Sequence, residues 1–254
     1  YRISKDFFAF SSEIKALTKV IGPALTGSLQ SLDIYITLQY IPAPHTIYKD
    51  IYKLPPAHYL IVDDKGEILE KERYYDISFS PNNRDRSFNW IEKTESAITD
   101  SVNSQLISDV PFGVFLSGGI DSTLVALKMS KILDRPLKAF TIGFNEEKYS
   151  ELKYAEHAAK KIGVELISEI VTENGTDILP KLINGHYGEP FGDPSAIPTW
   201  FVSRLARKEV TMALTGDGGD EMFGGYHSYQ SWTRNTPKNI LYNKVKLKQF
   251  SGIP

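Results

Sequence analysis

Apolar residues along this chain come as short continuous runs separated by stripes at helical spacing. The run 110–116 reads as a buried strand, and it feeds a helix in which Val125, Met129, Ile132 and Leu133 recur at i, i+4, i+7 and i+8. Residues 137–144 form a second apolar run. Tyr154, Ala155, Ala158, Ala159 and Ile162 then share one helical face, which Ser150 and Glu151 open and Gly163 closes. A third strand spans 164–171 and a short helix 177–183. Ile197, Trp200, Phe201 and Leu205 mark another helix after Pro194-Ser195, and 210–214 is a fourth strand. A further helix, 89–105, precedes the series with a modest stripe of Ile91, Ala97, Ile98 and Val102. Strands alternating with helices predict an α/β domain built on an open, doubly wound parallel sheet covered on both faces.

Upstream the pattern is shorter in range. Residues 7–10 read as a strand and 11–17 as a helical turn, and the mixed stretch 25–40 places a helix around 33–40. Pro42 and Pro44, one residue apart, forbid a helix there. Residues 51–54 and 58–62 flank Pro55-Pro56 as short strands; Asp63-Asp64-Lys65-Gly66 is a hairpin turn, and 67–75 the returning strand. The segment 77–88, rich in Pro, Asn and charge, is a linker. It divides the chain into 1–76, a partial α+β domain, and 77–254, the sheet domain.

Two loops break the pattern, each directly after a predicted strand. The first is Ser117-Gly118-Gly119-Ile120-Asp121-Ser122. Its glycines can take φ > 0 and leave no Cβ in the way of a ligand. The amides at the start of the helix that follows have no internal partner, and the macrodipole adds positive potential. Such a turn suits phosphate or pyrophosphate. It is neither the phosphate loop ending in Gly-Lys-Ser/Thr nor the dinucleotide Gly-x-Gly-x-x-Gly turn. Asp121 beside a phosphate cup would repel the ligand unless a cation lay between, so it reads as a Mg²⁺ ligand. The plain alternative, a tight turn with Asp as a helix cap, is as good for these six residues alone. The second loop, residues 215–226, holds five glycines and three carboxylates in twelve residues. It makes a poor helix or strand and a good close-approach loop around a cation or phosphates. In doubly wound sheets ligands bind at the carboxyl ends of strands, where strand order reverses. Both loops belong to that edge.

Composition adds exclusions. The chain has 254 residues, 41% hydrophobic and 24% charged, with a net charge of −2. That balance gives no electrostatic case for nucleic acid or an anionic membrane surface. No apolar run approaches the ~18 residues of a membrane-spanning helix. There is no cysteine, so the chain holds no disulfide, thiolate metal site or cysteine nucleophile. The start at Tyr1, without Met or an apolar leader segment, and the abrupt end at Pro254 are expected of a piece of a longer chain, and a cytoplasmic setting fits. His45 and His58 lack a third ligand at metal spacing and read as surface or packing residues.

The signature 117–122 resembles that of the pyrophosphate-loop ATPases, the adenine nucleotide α-hydrolase-like fold. Longer segments resemble the glutamine-dependent asparagine synthetase family within it: 108–113, 141–144, 189–199 and 215–221, with 10–17, 40–44 and 53–60 similar to the end of that family's glutaminase domain. The resemblance covers most of residues 7–226. It implies attack of a substrate carboxylate, aspartate in the name-giving enzymes, on the α-phosphate of ATP. Ammonia from glutamine then displaces AMP. It further implies that Leu116 and Ile142 line the adenosine site, and that Ser117, Gly118, Gly119 and Ser122 hold pyrophosphate. Asp121 and Asp220 would bind Mg²⁺, Thr215 and Gly216 would flank the nucleotide, and Asp217 would serve adenylate formation. A homodimer is a possible assembly. Departures are Gly188, where an acidic residue is usual, and Ser150, for a frequent aspartate. The family's downstream lysine has no assignable match among Lys238, Lys244, Lys246 and Lys248. Without a cysteine the piece should not hydrolyse glutamine, and alone it should be inactive or very weak as a synthetase. An amidotransferase acting on a sugar or other acceptor, and a nucleotide-binding module without turnover, stay open as alternatives.

Overall fold

The computed structural model describes residues 1–4, 7–22, 25–78, 89–146, 148 and 150–229. They fall into two compact units: residues 1–89 with 172–201, and 90–171 with 202–254. The linker at 77–88 lies almost wholly outside the described residues.

The second unit is built on a parallel sheet of β5 (Phe112–Phe115), β6 (Lys138–Phe144), β7 (Glu165–Val171) and β8 (Met212–Leu214), in the order β7-β6-β5-β8. The earliest strand in sequence therefore sits inside, with β6 on one side and β8 on the other, so the strand order reverses beside β5. Alternate residues feed opposite faces, as the pleat requires. Phe112, Val114, Ala139 and Leu166 pack with α3 (Trp90–Gln105), α4 (Ile120–Ile132) and α5 (Leu152–Ile162). Phe115, Phe140, Ile142 and Ile167 pack instead with Val202, Leu205 and Ala206, near the end of α7 (Ala196–Ala206). Helices on both faces make the sheet doubly wound. Strand β5 begins two residues later than its apolar run, because Pro111 has no N–H to give a ladder; its carbonyl accepts from Thr211 (2.9 Å) and Met212 (3.3 Å). Gly163, with φ 82°, closes α5 as expected.

In the first unit β1 (Arg2–Ile3) pairs with β2 (Phe8–Ala9), and β3 (His58–Val62) with β4 (Ile68–Arg73), both antiparallel. The β3–β4 turn is the expected one: Asp63 Oδ1 accepts from the amides of Lys65 (3.0 Å) and Glu67 (2.7 Å), and Gly66 has φ 85°. Residues 51–54 are not a strand. Their amides serve separate segments, Tyr52 donating to Tyr1 O and Lys53 to Pro44 O, and Pro55-Pro56 have none to give. The helix expected at 33–40 is α2 (Leu29–Leu38), set earlier by Ser28, whose Oγ accepts from the Ser31 amide at 3.2 Å. α1 spans Ile14–Ile21. The short helix at 177–183 is an irregular run: a 3₁₀ turn, Gly175–Ile178, one α turn, α6 (Leu179–Lys181), and a π turn, Leu182–Tyr187. No helix among the described residues is long and apolar enough to cross a membrane.

Candidate functional site

Strands β5 and β8 are parallel neighbours, so their carboxyl ends bring the two glycine loops to one edge. Leu116 extends β5 by one bond, its amide donating to Phe140 O at 2.9 Å, and its side chain is buried. The chain then turns on hydroxyls. Ser117 N–H donates to Ser122 Oγ (3.3 Å), Gly119 N–H donates to Ser117 Oγ (3.2 Å), and the two hydroxyls lie 3.0 Å apart. Ser122 is buried, and its hydroxyl reaches Gly119 O at 3.3 Å. Helix α4 starts there with Gly119 as N-cap and no side-chain cap. Asp121 is thus not a cap. It stands in the first turn, where the amides of Ile120, Asp121 and Ser122 have no partner within the helix.

The two glycines of this loop differ. Gly118 has φ 85°, but the space before its Cα is filled by the neighbouring helix: a Cβ would lie 2.6 Å from Ala155 N. Its missing side chain admits α5 rather than a ligand. Gly119 has an ordinary φ of −67°, and a Cβ there would meet only Ser117 Oγ, at 3.3 Å. The expectation of φ > 0 at both therefore holds at one, and the open approach is at the other.

The second loop leaves β8 through Thr215, whose Oγ1 accepts from Asp217 N–H at 3.2 Å. Gly216 O accepts from Gly219 N–H at 3.2 Å. The loop is not wholly irregular: Gly219–Phe223 form a short helix, α8, between Gly218 (φ 92°) and Gly224 (φ 69°). Glycines in the left-handed region give it both entry and exit.

The loops interlock. A Cβ on Gly216 would lie 2.7 Å from Ser122 N and 3.0 Å from Asp121 Cβ, and one on Gly219 would lie 2.7 and 2.8 Å from the Asp121 carboxylate oxygens. Ser117, Asp121, Ser122, Gly216 and Gly219 are thus brought together. Asp217 is exposed. Asp220 stands in the first turn of α8 with its carboxylate against Gly225, where no Cβ would fit. Ile142 lies within β6 opposite Glu169 and packs in the Phe140 cluster. Glu221 accepts a 2.6 Å bond from the Tyr226 hydroxyl. That bond first, with backbone amides, holds its carboxyl below the ordinary range; the same bond pushes the Tyr226 phenol up to about 12. Among the described residues no group of three or more His, Cys, Asp and Glu gathers to cage a metal. The Asp121 carboxylate lies against Gly219 and the Asp220 carboxylate against Gly225; carboxylates with waters and substrate phosphates are the donor set that Mg²⁺ takes.

Other expectations resolve in place. His58 Nδ1 lies 2.8 Å from Pro56 O. Gly188 has φ 73° and sits against Ile14 and Lys15, while Glu189 is buried, pairs with Lys53 and accepts from Ile47 N–H at 3.0 Å. Lys238, Lys244, Lys246 and Lys248 lie outside the described residues. Sequence reasoning missed Gly219 as the seat of Asp121, Tyr154-Ala155 as the backing of Gly118, and the Tyr226 bond.

A family model described as asparagine synthase matches residues 93–250. The chain belongs to the asparagine synthase family. A second model, of a glutamine amidotransferase domain, matches residues 1–75. Asparagine synthetase [glutamine-hydrolyzing] 1 of Bacillus subtilis (strain 168) is 36% identical over all of this chain and 38% of its own length. A putative asparagine synthetase [glutamine-hydrolyzing] 2 of Methanocaldococcus jannaschii is 36% identical over 97% of this chain and 50% of its own length. The chain thus spans half or less of these relatives. Among solved structures, an NH3-dependent NAD synthetase from Campylobacter jejuni aligns at a TM-score of 0.37 and 20% identity, over 53% of this chain and 60% of that one.

Proposed function

We propose that the chain carries the ATP-binding part of a synthetase that adenylates a carboxylate, aspartate by preference, and passes it to ammonia. The observation that carries this reading is the interlock of the two glycine loops at neighbouring strand ends, with Asp121 between them. Ser117, Gly119 and Ser122, with Gly118 through its backbone alone, bind the pyrophosphate end of ATP, aided by the unpartnered amides at the start of α4. Leu116 and Ile142 line the adenosine through backbone groups, and Thr215 and Gly216 flank the nucleotide. Asp121 and Asp220 hold Mg²⁺, which would offset the charge that builds on the leaving pyrophosphate. The substrate carboxylate attacks the α-phosphorus, the bond to the β-bridging oxygen breaks, and pyrophosphate leaves. Donors already in place stabilise that charge without rearranging. Asp217 serves adenylate formation. Ammonia then attacks the acyl carbon, AMP departs, and a proton lost from nitrogen leaves the amide.

The similarity of residues 1–75 to a glutamine amidotransferase domain supports glutamine as the nitrogen source. The chain has no cysteine, so any cysteine nucleophile for that step lies outside these residues. We place the reaction in the cytoplasm, where ATP and aspartate are found, with a homodimer as the assembly to test by light scattering. The deciding experiment is aspartate-dependent exchange of labelled pyrophosphate into ATP by the parent protein. Exchange that disappears in Asp121→Asn is expected. No exchange with any acid would overturn the reading in favour of binding without turnover, and exchange with another acid alone would remove aspartate as substrate.

A further inference from the structure

Asp220 depends on a helix too short to stand by itself. A helix of five residues, Gly219–Phe223, gains little from its own hydrogen bonds. It is flanked by left-handed glycines on both sides, which are permissive rather than rigid. Its first turn is tied by Met222 N–H to Gly218 O (3.0 Å), and its far end by Gly225 N–H to Asp220 O (3.0 Å). A side-chain bond from Tyr226 Oη to Glu221 Oε1, at 2.6 Å, closes this turn. Tyr226 adjoins Gly225, and Gly225 is the residue against which the Asp220 carboxylate rests. The Tyr226 ring is itself steadied edge-on by Tyr229, with centroids 5.6 Å apart.

We propose that Tyr226 is a positioning residue for Asp220. Its hydroxyl clamps Glu221, holds Gly225 against the Asp220 carboxylate, and keeps the Glu221 carboxylate turned to the phenol rather than competing for the cation. This rests on the reading of Asp220 as a Mg²⁺ ligand.

The test is made in the parent protein with Tyr226→Phe, Glu221→Gln, the double variant and Asp220→Asn. Mg²⁺ is titrated at saturating ATP in the exchange reaction, and Mn²⁺ binding in the presence of ATP is followed by electron paramagnetic resonance. Tyr226→Phe should raise the half-saturating Mg²⁺ about threefold while kcat changes less than about twofold, the size expected when one exposed charge-assisted bond is lost. Mn²⁺ should weaken in parallel. Glu221→Gln keeps an acceptor oxygen for the phenol and should lie near wild type. The double variant should shift the Mg²⁺ titration no further than Tyr226→Phe, because both changes act on one clamp and a glutamine does not compete for the cation. An unchanged metal titration in Tyr226→Phe, beside a large shift in Asp220→Asn, would overturn the positioning role and leave the metal reading standing. No shift in Asp220→Asn would overturn both.

Discussion

Replacing Gly216 with Ala separates the two loops without touching a charge. The added Cβ would lie 2.7 Å from Ser122 N, nearer than a Cβ approaches such an atom in real structures, and a tight 3.0 Å from Asp121 Cβ. The obstructing atoms are backbone and Cβ, which no rotamer change can move. Either β8's loop must lift or the first turn of α4 must retreat. Inserting one carbon into packed surroundings costs about 1–3 kcal/mol. Part of that strain appears as lost stability, and part as displacement of Ser117–Ser122 from the ligand. We expect urea unfolding to show a loss of about 1–2 kcal/mol and Mg²⁺–ATP affinity, by calorimetry on the parent protein, to fall at least about tenfold, equivalent to about 1.4 kcal/mol. Gly218→Ala is the matched control. Gly218 has φ 92° with nothing within 4 Å of its would-be Cβ, so it should lose stability through backbone strain, about 1 kcal/mol, with little change in ATP affinity. Wild-type ATP affinity in Gly216→Ala, or equal losses in both variants, would refute the interlock as the basis of binding.

Three further outcomes are expected. Glu189→Ala takes the carboxylate from the Lys53 ammonium, which keeps Ile41 O at 2.6 Å, and leaves the Ile47 amide without its acceptor, and should cost about 1–2 kcal/mol in urea unfolding; a Lys53→Met, Glu189→Ala pair more stable than Glu189→Ala alone would confirm the unpaired charge as the cause. Glu169 is hydrogen-bonded first by Lys208 and then by Arg204, which holds its carboxyl below the ordinary value. A depressed folded value stabilises above the unfolded pKa of about 4.3 and is lost as pH falls through the folded one, so Glu169→Gln should be less stable than the parent at neutral pH, converge with it in acid, and so flatten the acid limb of stability against pH. Gly188→Asp places a Cβ at φ 73°, 3.2 Å from Ile14 Cβ; thermal unfolding should show a loss of about 1 kcal/mol, and a gain would mean the backbone there is free to move.

Much of the sheet unit was legible because its signals are local. Periodicity at Val125 and Met129 gives α4, and Gly163 closes α5 by a requirement on its own φ. The inner strands followed from the apolar runs 110–116 and 137–144, as burial on both faces demands, while β7 at the sheet edge carries Glu165, Ser168 and Glu169 and is only partly buried. Errors arose where hydrogen bonds go outside the local pattern. Residues 51–54 look like a strand, yet their amides are spent on Tyr1 and Pro44. The helix at Leu29 was set by one hydroxyl, Ser28, inside a stretch whose apolar spacing was mixed. The return of 172–201 to the first unit rests on contacts such as Gly192 N–H to Gln39 O at 2.7 Å and Glu189 to Ile47 N–H, between residues far apart in sequence.

The site shows the same division more sharply. That residues 117–122 and 215–221 share an edge follows from strand order, and the glycines announce close approach; neither says what approaches. Gly118 makes room for the backbone of α5, while Gly216 and Gly219 make room for Asp121 and the start of α4. A sequence-level assignment of these glycines to a ligand therefore credits the ATP tail with space the protein uses for itself. The space left for phosphate is narrower: the side of Gly119 that a Cβ would find nearly open, and the unpartnered amides of the first turn of α4. The tightness of that packing is also what fixes Asp121. A carboxylate wedged against Gly219 has little freedom to swing; on the proposed function this would hold the charge in place before a cation arrives and lower the reorganisation cost of binding.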